Sequence, residues 1–355
     1  MSVIKNKIEI KNNIKLLKCM VQDQEQQSAI YHPGPYWVDK ARTATDQLIT
    51  HGLKYFRGNS NDIGNEFADN TLIDIRDGFT LGWKRKIASW LTKQYPLNRV
   101  YDAQVACTKR FATRCNQYIQ EIVDLSPRTA HLVHNYKLPY SLLGGSECNV
   151  CINDKRYSAH YLMLLDQHDH LSEKVNFKSL SSVFEIGPGF GVNIHLLIEN
   201  YPNIKKFLYL DIPPNLYVGT QYLKAFYGNA IKDYESLRDV KELRFTPNDE
   251  LEVLCIAPWQ IECFRDSVDL LMNAYSFVEM PKKVVENYVE KFKKFPDSDK
   301  TKIALISYAS YDLKTTYHPD ELPLFFKDIN FDKFERDIYL KLDAFTKKNY
   351  MYVST

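Results

Sequence analysis

Near the middle of the chain an acid and three glycines fall at alternate positions: Glu185-Ile186-Gly187-Pro188-Gly189-Phe190-Gly191. Glycine permits positive φ in a sharp turn and lets a ligand approach the backbone closely. The turn follows a short apolar run (Val183, Phe184, Ile186) that reads as a buried strand. It precedes an amphipathic segment, Asn193 to Glu199, that reads as a helix. A strand, a glycine turn and a helix N-terminus together make a site for nucleotide-like ligands. A second acid, Asp211, ends the next apolar run, Phe207 to Leu210. A carboxylate at the tip of a second strand can accept two hydrogen bonds from a ribose diol, so Asp211 points to an adenosine ligand without choosing among the enzymes that bind one.

The spacing narrows the choice. A dinucleotide turn reads G-x-G-x-x-G/A and places its third small residue at position 192, where this chain has Val192. The pattern here is instead E-x-G-x-G-x-G, which resembles motif I of the class I S-adenosylmethionine-dependent methyltransferases. That resemblance implies a glycine turn passing under the methionine part of the cofactor, with Glu185 fixing the loop or the amino group.

Other clusters carry less. The seven cysteines (Cys19, Cys107, Cys115, Cys148, Cys151, Cys255, Cys263) are odd in number, against a fully paired disulfide framework. Cys148-Asn149-Val150-Cys151 lacks the second pair or spaced histidine of a zinc set, and reduced thiols are the expectation. His168-Asp169-His170 lacks a third convergent ligand and reads as a solvated helix end. Asp266 and Asp269 are the carboxylates available to a metal-assisted variant, which stays open, although Asp269 reads as a strand start. No metal is expected.

The elements that must position these groups divide the chain. At 355 residues, two domains are the prior. Residues 1 to about 175 read as mainly helical, with helices over Trp37 to Phe56, Ile87 to Leu91, Val100 to Ile119 and Tyr157 to Leu165, and a turn-rich loop from Leu138 to Gly145. From 176 to 355, strands alternate with helices, predicting a mostly parallel sheet covered on both faces. The later strands are Leu251 to Ile256, Val268 to Met272, Ile303 to Tyr308, Asp337 to Leu342 and Tyr350 to Ser354. A helix starts near Asn215 and closes at Gly228, and Pro281 opens another. Seven strands ending in a hairpin match the methyltransferase fold, whereas a dehydrogenase usually has six parallel strands.

Composition, 45% hydrophobic and 25% charged, is that of a soluble globular protein, and the net charge of +2 gives no reason to expect nucleic acid. No apolar run is long enough to span a bilayer, and the basic N-terminus lacks the apolar core of a signal peptide, so a cytoplasmic location is expected.

Three segments in order carry a narrower resemblance: the glycine turn, Leu210-Asp211-Ile212-Pro213-Pro214-Asn215-Leu216-Tyr217, and Asn273-Ala274-Tyr275-Ser276-Phe277-Val278-Glu279-Met280. With Tyr36-Trp37 and Phe56-Arg57 upstream, they are similar to the bacterial sugar O-methyltransferase family, over roughly Trp37 to Tyr308. Ala274-Tyr275 departs from the smaller or more polar pair expected there. The resemblance implies a Rossmann-like seven-stranded class I methyltransferase sheet behind a helical cap that recognises the sugar. It implies S-adenosylmethionine held by Glu185, Gly187, Pro188, Gly189, Gly191, Asp211, Ile212, Asn273 and Ser276. The loop after the third principal strand adds Pro258 and Trp259, the latter able to stack on adenine. A sugar hydroxyl is weakly acidic and needs a general base, for which Glu279 and His318 are the candidates. The acceptor is a sugar, free, nucleotide-linked or within a glycan, in surface-glycan or sugar-nucleotide biosynthesis. A homo-oligomer, a glycan-assembly partner, a non-catalytic subunit bound to a glycosyltransferase and a non-sugar acceptor all stay open.

Overall fold

The computed structural model describes residues 8–57, 116–146, 148–309, 315–340 and 348–355. Its centre is an eight-stranded sheet. After a separate hairpin of β1 (Asn149–Ile152) and β2 (Lys155–Ser158), the sheet strands are β3 (Ser182–Ile186), β4 (Lys206–Leu210), β5 (Ile231–Lys232), β6 (Glu252–Ile256), β7 (Leu270–Ala274), β8 (Lys302–Tyr308), β9 (Phe331–Asp337) and β10 (Lys348–Ser354). Their order is β5-β6-β4-β3-β7-β8-β10-β9. The first six are parallel; β10 runs antiparallel between β8 and β9. Apart from the two-residue edge strand β5, which the sequence reading did not anticipate, this is the seven-stranded class I methyltransferase sheet with its C-terminal hairpin. The winding reverses at β3, and in open parallel sheets ligands bind in the crevice beyond the strand tips at such a reversal. The glycine turn leaves β3 at that point.

Both faces are covered, so the central strands are near-continuous apolar runs rather than alternating ones. Alternate residues feed two cores. Val183, Phe207, Tyr209, Val253 and Met272 join one, with Ile194 and Leu197 of the helix Val192–Asn200 and Leu216 and Tyr222 of Pro213–Tyr227. Phe184, Leu208, Leu254 and Leu271 join the other, with Val285, Val289 and Phe292 of Lys282–Phe292.

The N-terminal helices share the first core. Helix α1 (Ile14–Glu25) contributes Leu16, Leu17 and Met20, and α2 (Pro35–His51) contributes Ala44 and Leu48. Polar contacts fasten α1 down. The Asn13 N–H donates to the Tyr217 hydroxyl at 2.8 Å, and Asp23 accepts from Tyr234 and Arg238, each at 2.7 Å. In chain order α3 is Pro127–Asn135, α4 Ala159–Ser172, α5 Val192–Asn200, α6 Pro213–Tyr227 and α7 Lys282–Phe292.

Several element boundaries differ from expectation. Helix α2 stops at Gly52, whose φ of 67° suits a left-handed helix end, rather than at Phe56. Tyr157 lies in β2, not a helix; Asn153-Asp154, both at positive φ, form the hairpin turn that Asn and Asp tolerate. Helix α4 runs past Leu165, so His168 is buried inside it rather than at a solvated end. Strand β9 precedes its expected position. Its charged, half-exposed sequence FDKFERD carries no apolar run, as suits an edge strand. The helix expected at Ile87 to Leu91, and most of that at Val100 to Ile119, lie outside the described residues. Cys19, Cys151, Cys255 and Cys263 are free; Cys107 and Cys115 lie outside the described residues. No described helix is long and apolar enough to cross a membrane.

Candidate functional site

The three glycines of the turn all adopt left-handed φ: 72° at Gly187, 61° at Gly189 and 84° at Gly191. At Gly187 a side chain would also run into the Ser276 hydroxyl, whereas a Cβ at Gly189 would meet no atom within 4 Å, because that residue faces an open cleft. Pro188 and Ile212 line the same cleft. Two hydrogen bonds tie the turn to the tip of β4: the Gly187 N–H donates to the Leu210 carbonyl and the Gly189 N–H to Asp211 Oδ2, both at 2.8 Å.

Asp211 is therefore first a latch for the turn. Its Oδ1 also accepts from the Ile212 N–H at 2.8 Å and the Asn215 amide at 3.2 Å. A carboxylate offers about four acceptor positions. Three are filled, so the two bonds expected toward a diol reduce to one. Burial pushes the Asp211 carboxyl up to about 7, against the pull of these three donors, and nearby Glu279 adds to the rise.

Glu185, fully buried on β3, is the other acid at the tips. Its Oε1 accepts from Asn193 Nδ2 at 2.7 Å, and its Oε2 has no hydrogen-bond partner among the described residues. Burial pushes this carboxyl up to about 8; Asn193 works against the shift and Asp211 with it. A buried acceptor left unpaired costs free energy, and a cationic group in the cleft would relieve that cost.

The opposite wall comes from the exit of β7. Asn273 is a buried brace, its Nδ2 donating to the Ile186 carbonyl at 2.8 Å and to Ser276 Oγ at 2.6 Å, and it is not among the described cleft-lining residues. Ser276 does line the cleft and donates to the Ile186 carbonyl at 3.2 Å. Between them Tyr275 sits at φ 68°, a strained conformation for an aromatic residue. Glu279 lines the cleft with its carboxylate held at both oxygens: Trp37 Nε1 donates to Oε2 at 2.9 Å and the Tyr308 hydroxyl to Oε1 at 3.2 Å. Trp37 comes from the first turn of α2, beside Gly34, where a Cβ would lie 2.6 Å from Pro281 Cδ.

Besides Asn273, four predicted residues lie outside the described lining: Pro258, Trp259, His318 and Gly191, where a Cβ would meet Leu223 Cδ1 at 3.0 Å. Pro258 and Trp259 are not among the described residues lining the cleft; Trp259 packs edge-on against Tyr234, ring centroids 6.0 Å apart, where it seals the seam between the two cores. His318 is also outside the described lining. Its half-exposed ring caps the helical turn Pro319–Phe325, Nδ1 accepting from the Asp320 N–H at 3.3 Å. Asp269 is at the far end of the sheet, tying the starts of β3 and β7 together through Ser181 and Ser182. Among the described residues no group of His, Cys, Asp and Glu could hold a metal ion.

The cleft also contains residues that the sequence reading passed over: His32, Trp37, His160, Asn193, Asn215 and Tyr288. Asn193 and Asn215 follow the two predicted acids by eight and four residues, close enough for a helix-start pattern to have flagged them. His32 had no local signal, and Trp37 entered through the family resemblance of Tyr36-Trp37, with no site role attached.

The chain matches no protein-family model and no curated protein. Among solved structures it is similar to a SAM-dependent methyltransferase from Aquifex aeolicus, at 16% identity and a TM-score of 0.36, over 56% of this chain and 93% of that one. It is also similar to human N-acetylserotonin methyltransferase in complex with SAM (10%, TM-score 0.36, 56% and 54%). The mitomycin 7-O-methyltransferase MmcR gives 9% identity and a TM-score of 0.35, over 55% and 57%. The chain thus spans a little over half the length of the last two. At these values it is the strand order described above that defines the fold.

Proposed function

We propose that the protein is an S-adenosylmethionine-dependent O-methyltransferase whose acceptor is a sugar hydroxyl. The observation that carries the cofactor is Glu185 Oε2, buried and without a hydrogen-bond partner among the described residues, at the rim of an open glycine turn. An amino-acid ammonium group is the complement such an oxygen lacks. Gly187, Pro188 and Gly189 would let the cofactor lie against the backbone, with Gly191 closing the turn against Leu223; Ile212 would give it an apolar contact, and Asp211 keeps one acceptor position for a ribose hydroxyl. Ser276 lines the adjoining wall.

When bound, S-adenosylmethionine would supply an electrophilic methyl group that passes from its sulfur to the acceptor oxygen, and the hydroxyl proton would have to leave. Glu279 is the base in this reading, because it is the carboxylate that lines the wall facing the turn. Trp37 and Tyr308 fix both its oxygens, so the proton acceptor is oriented before the acceptor hydroxyl arrives. Trp37 also supports a role in acceptor recognition for the helical region, residues 1–175. The sugar rests on the resemblance of the Asp211–Tyr217 and Asn273–Met280 segments to the sugar O-methyltransferase family.

Calorimetric titration with S-adenosylhomocysteine tests the reading. The wild type should bind with a Kd of about micromolar order. Gly189→Arg places a long side chain at positive φ in the open cleft and should weaken binding at least about hundredfold. A wild type that fails to bind at millimolar ligand would overturn the proposal.

A further inference from the structure

His168 is the buried remainder of the His168-Asp169-His170 triplet, and no role in a metal site or a helix end absorbs it. It lies on α4, 1% exposed, with its ring stacked on Phe177 at a centroid distance of 6.2 Å. Its Nε2 stands 3.3 Å from Asn193 Oδ1, and Asn193 Nδ2 stands 2.7 Å from Glu185 Oε1. A histidine of the helical region therefore reaches the turn's carboxylate through a single amide.

The direction of this chain follows from the tautomer of His168. An amide presents a donor at one end and an acceptor at the other. With the Nε2–H tautomer of His168 donating to Oδ1, the amide N–H faces Glu185 and claims Oε1, which leaves Oε2 for the cleft. Without that donor the amide can turn over and oppose its own oxygen to the acid, which favours still further the protonated form that burial already favours. We propose that His168 is a positioning residue for a cationic ligand group: through Asn193 it fixes which oxygen of Glu185 is presented, and it favours the charged form of that carboxyl. The ligand's identity as an amino-acid ammonium rests on the reading above; the His168–Asn193–Glu185 chain does not.

Burial holds His168 down to about 4, so it is neutral at physiological pH and acts as a dipole rather than a charge. The other groups facing Glu185 are Asp211 on β4 and the Tyr209 phenol; Asp211 in turn faces Glu279 and Tyr288. None of these is touched by changing His168.

The test combines two readouts on the full chain, for wild type, His168→Phe and His168→Gln. Phenylalanine keeps the stack on Phe177 and removes the donor; glutamine restores an amide N–H. First, the Glu185 carboxyl carbon is titrated by NMR in the free protein, assigned with Glu185→Gln. Second, S-adenosylhomocysteine binding is measured from pH 6 to 9. The Glu185 midpoint should rise by roughly half a pH unit or more in His168→Phe, in line with the loss of about one hydrogen bond to an ionised group, and return toward wild type in His168→Gln. Affinity at pH 7 should fall about three- to tenfold in His168→Phe and recover in His168→Gln. An unchanged Glu185 midpoint in a folded His168→Phe protein would overturn the inference; if that variant does not fold, a Glu185 midpoint in His168→Gln no closer to wild type than that of Asn193→Leu would do so. A shifted midpoint with no S-adenosylhomocysteine binding by any form would instead overturn the cofactor reading and leave the positioning role standing.

Discussion

The two walls of the cleft are built in opposite ways. On the glycine-turn side, Glu185, Asn193, Asp211 and Asn215 fall within about thirty residues, and the bonds that fix the two acids come from the turn itself, from the neighbouring Ile212 and from the helices that follow the two strands. On the Glu279 side, the carboxylate is gripped by Trp37, 242 residues earlier in the chain, and by Tyr308 on β8. The first wall is a local consequence of the sheet apart from one contact, that of His168 with Asn193. The second exists only because the N-terminal helices pack on α6 and bring the start of α2 over the strand tips. A site of this kind can keep its ligand pocket while losing its chemistry, because the two depend on different parts of the fold.

The largest effect expected from breaking that comparison is on turnover without binding. Glu279→Gln should reduce kcat by about 10²- to 10⁴-fold, the usual contribution of a positioned base, while S-adenosylhomocysteine affinity changes less than about threefold. Trp37→Phe keeps the ring and removes the N–H that holds Oε2. It should reduce kcat by about five- to tenfold and move the acidic limb of the pH–rate profile upward, since a carboxylate that loses a donor becomes more basic. Equal losses of affinity and kcat in both variants would mean that the walls are one unit, not two.

The glycine-turn side should reveal itself through stability instead. Glu185 is pushed up to about 8 from an ordinary value of 4.5. A carboxyl raised in the folded state contributes stability that is complete below about pH 4.5 and is lost as pH rises through 8, because the folded protein then retains a proton the unfolded chain has released. Glu185→Gln removes this dependence. Thermal unfolding of the ligand-free variant, compared with wild type between pH 5 and 8, should show it gaining about 3–4 kcal/mol across that range. The gain should shrink when the wild type is saturated with a cationic ligand, which pairs the charge. A constant difference across the range would show that Glu185 is already ionised.

How legible each part was in the sequence follows the same division. The strands β3, β4, β6, β7 and β8 stand out because both faces of the sheet are covered and each strand is a short apolar run. The turn stands out because only glycine tolerates three left-handed positions so close together. Strand β9 was misplaced and β5 missed because neither carries a buried run: one is a charged edge, the other two residues long. The hairpin before α4 was passed over although Asn153-Asp154 is a turn signal, since Tyr157 also fits the apolar pattern of the helix that follows. Trp259 looked like an adenine platform from its place after a strand, but its ring packs on Tyr234, and no periodicity distinguishes those two uses of a tryptophan. Trp37 and His168 reach the site by tertiary packing, which a local pattern does not record.

His318 sharpens the point most narrowly. It follows β8 in sequence, on the side of the sheet where a base is wanted, and histidine suits proton transfer at neutral pH. Yet its ring is half exposed and its Nδ1 is engaged with the backbone N–H of Asp320, while the Glu321 carboxylate accepts from the His318 N–H at 3.1 Å. These reciprocal bonds close the start of a helical turn, a task for which a side-chain acceptor at the cap is worth about 0.5–1 kcal/mol. His318→Ala should therefore lower stability by that amount and leave kcat within about twofold of wild type. His318→Asn, which keeps an acceptor at the cap, should recover the stability. A loss of kcat comparable to that of Glu279→Gln, not rescued by asparagine, would put the proton acceptor on β8's loop and reduce Glu279 to the carboxylate that anchors Trp37.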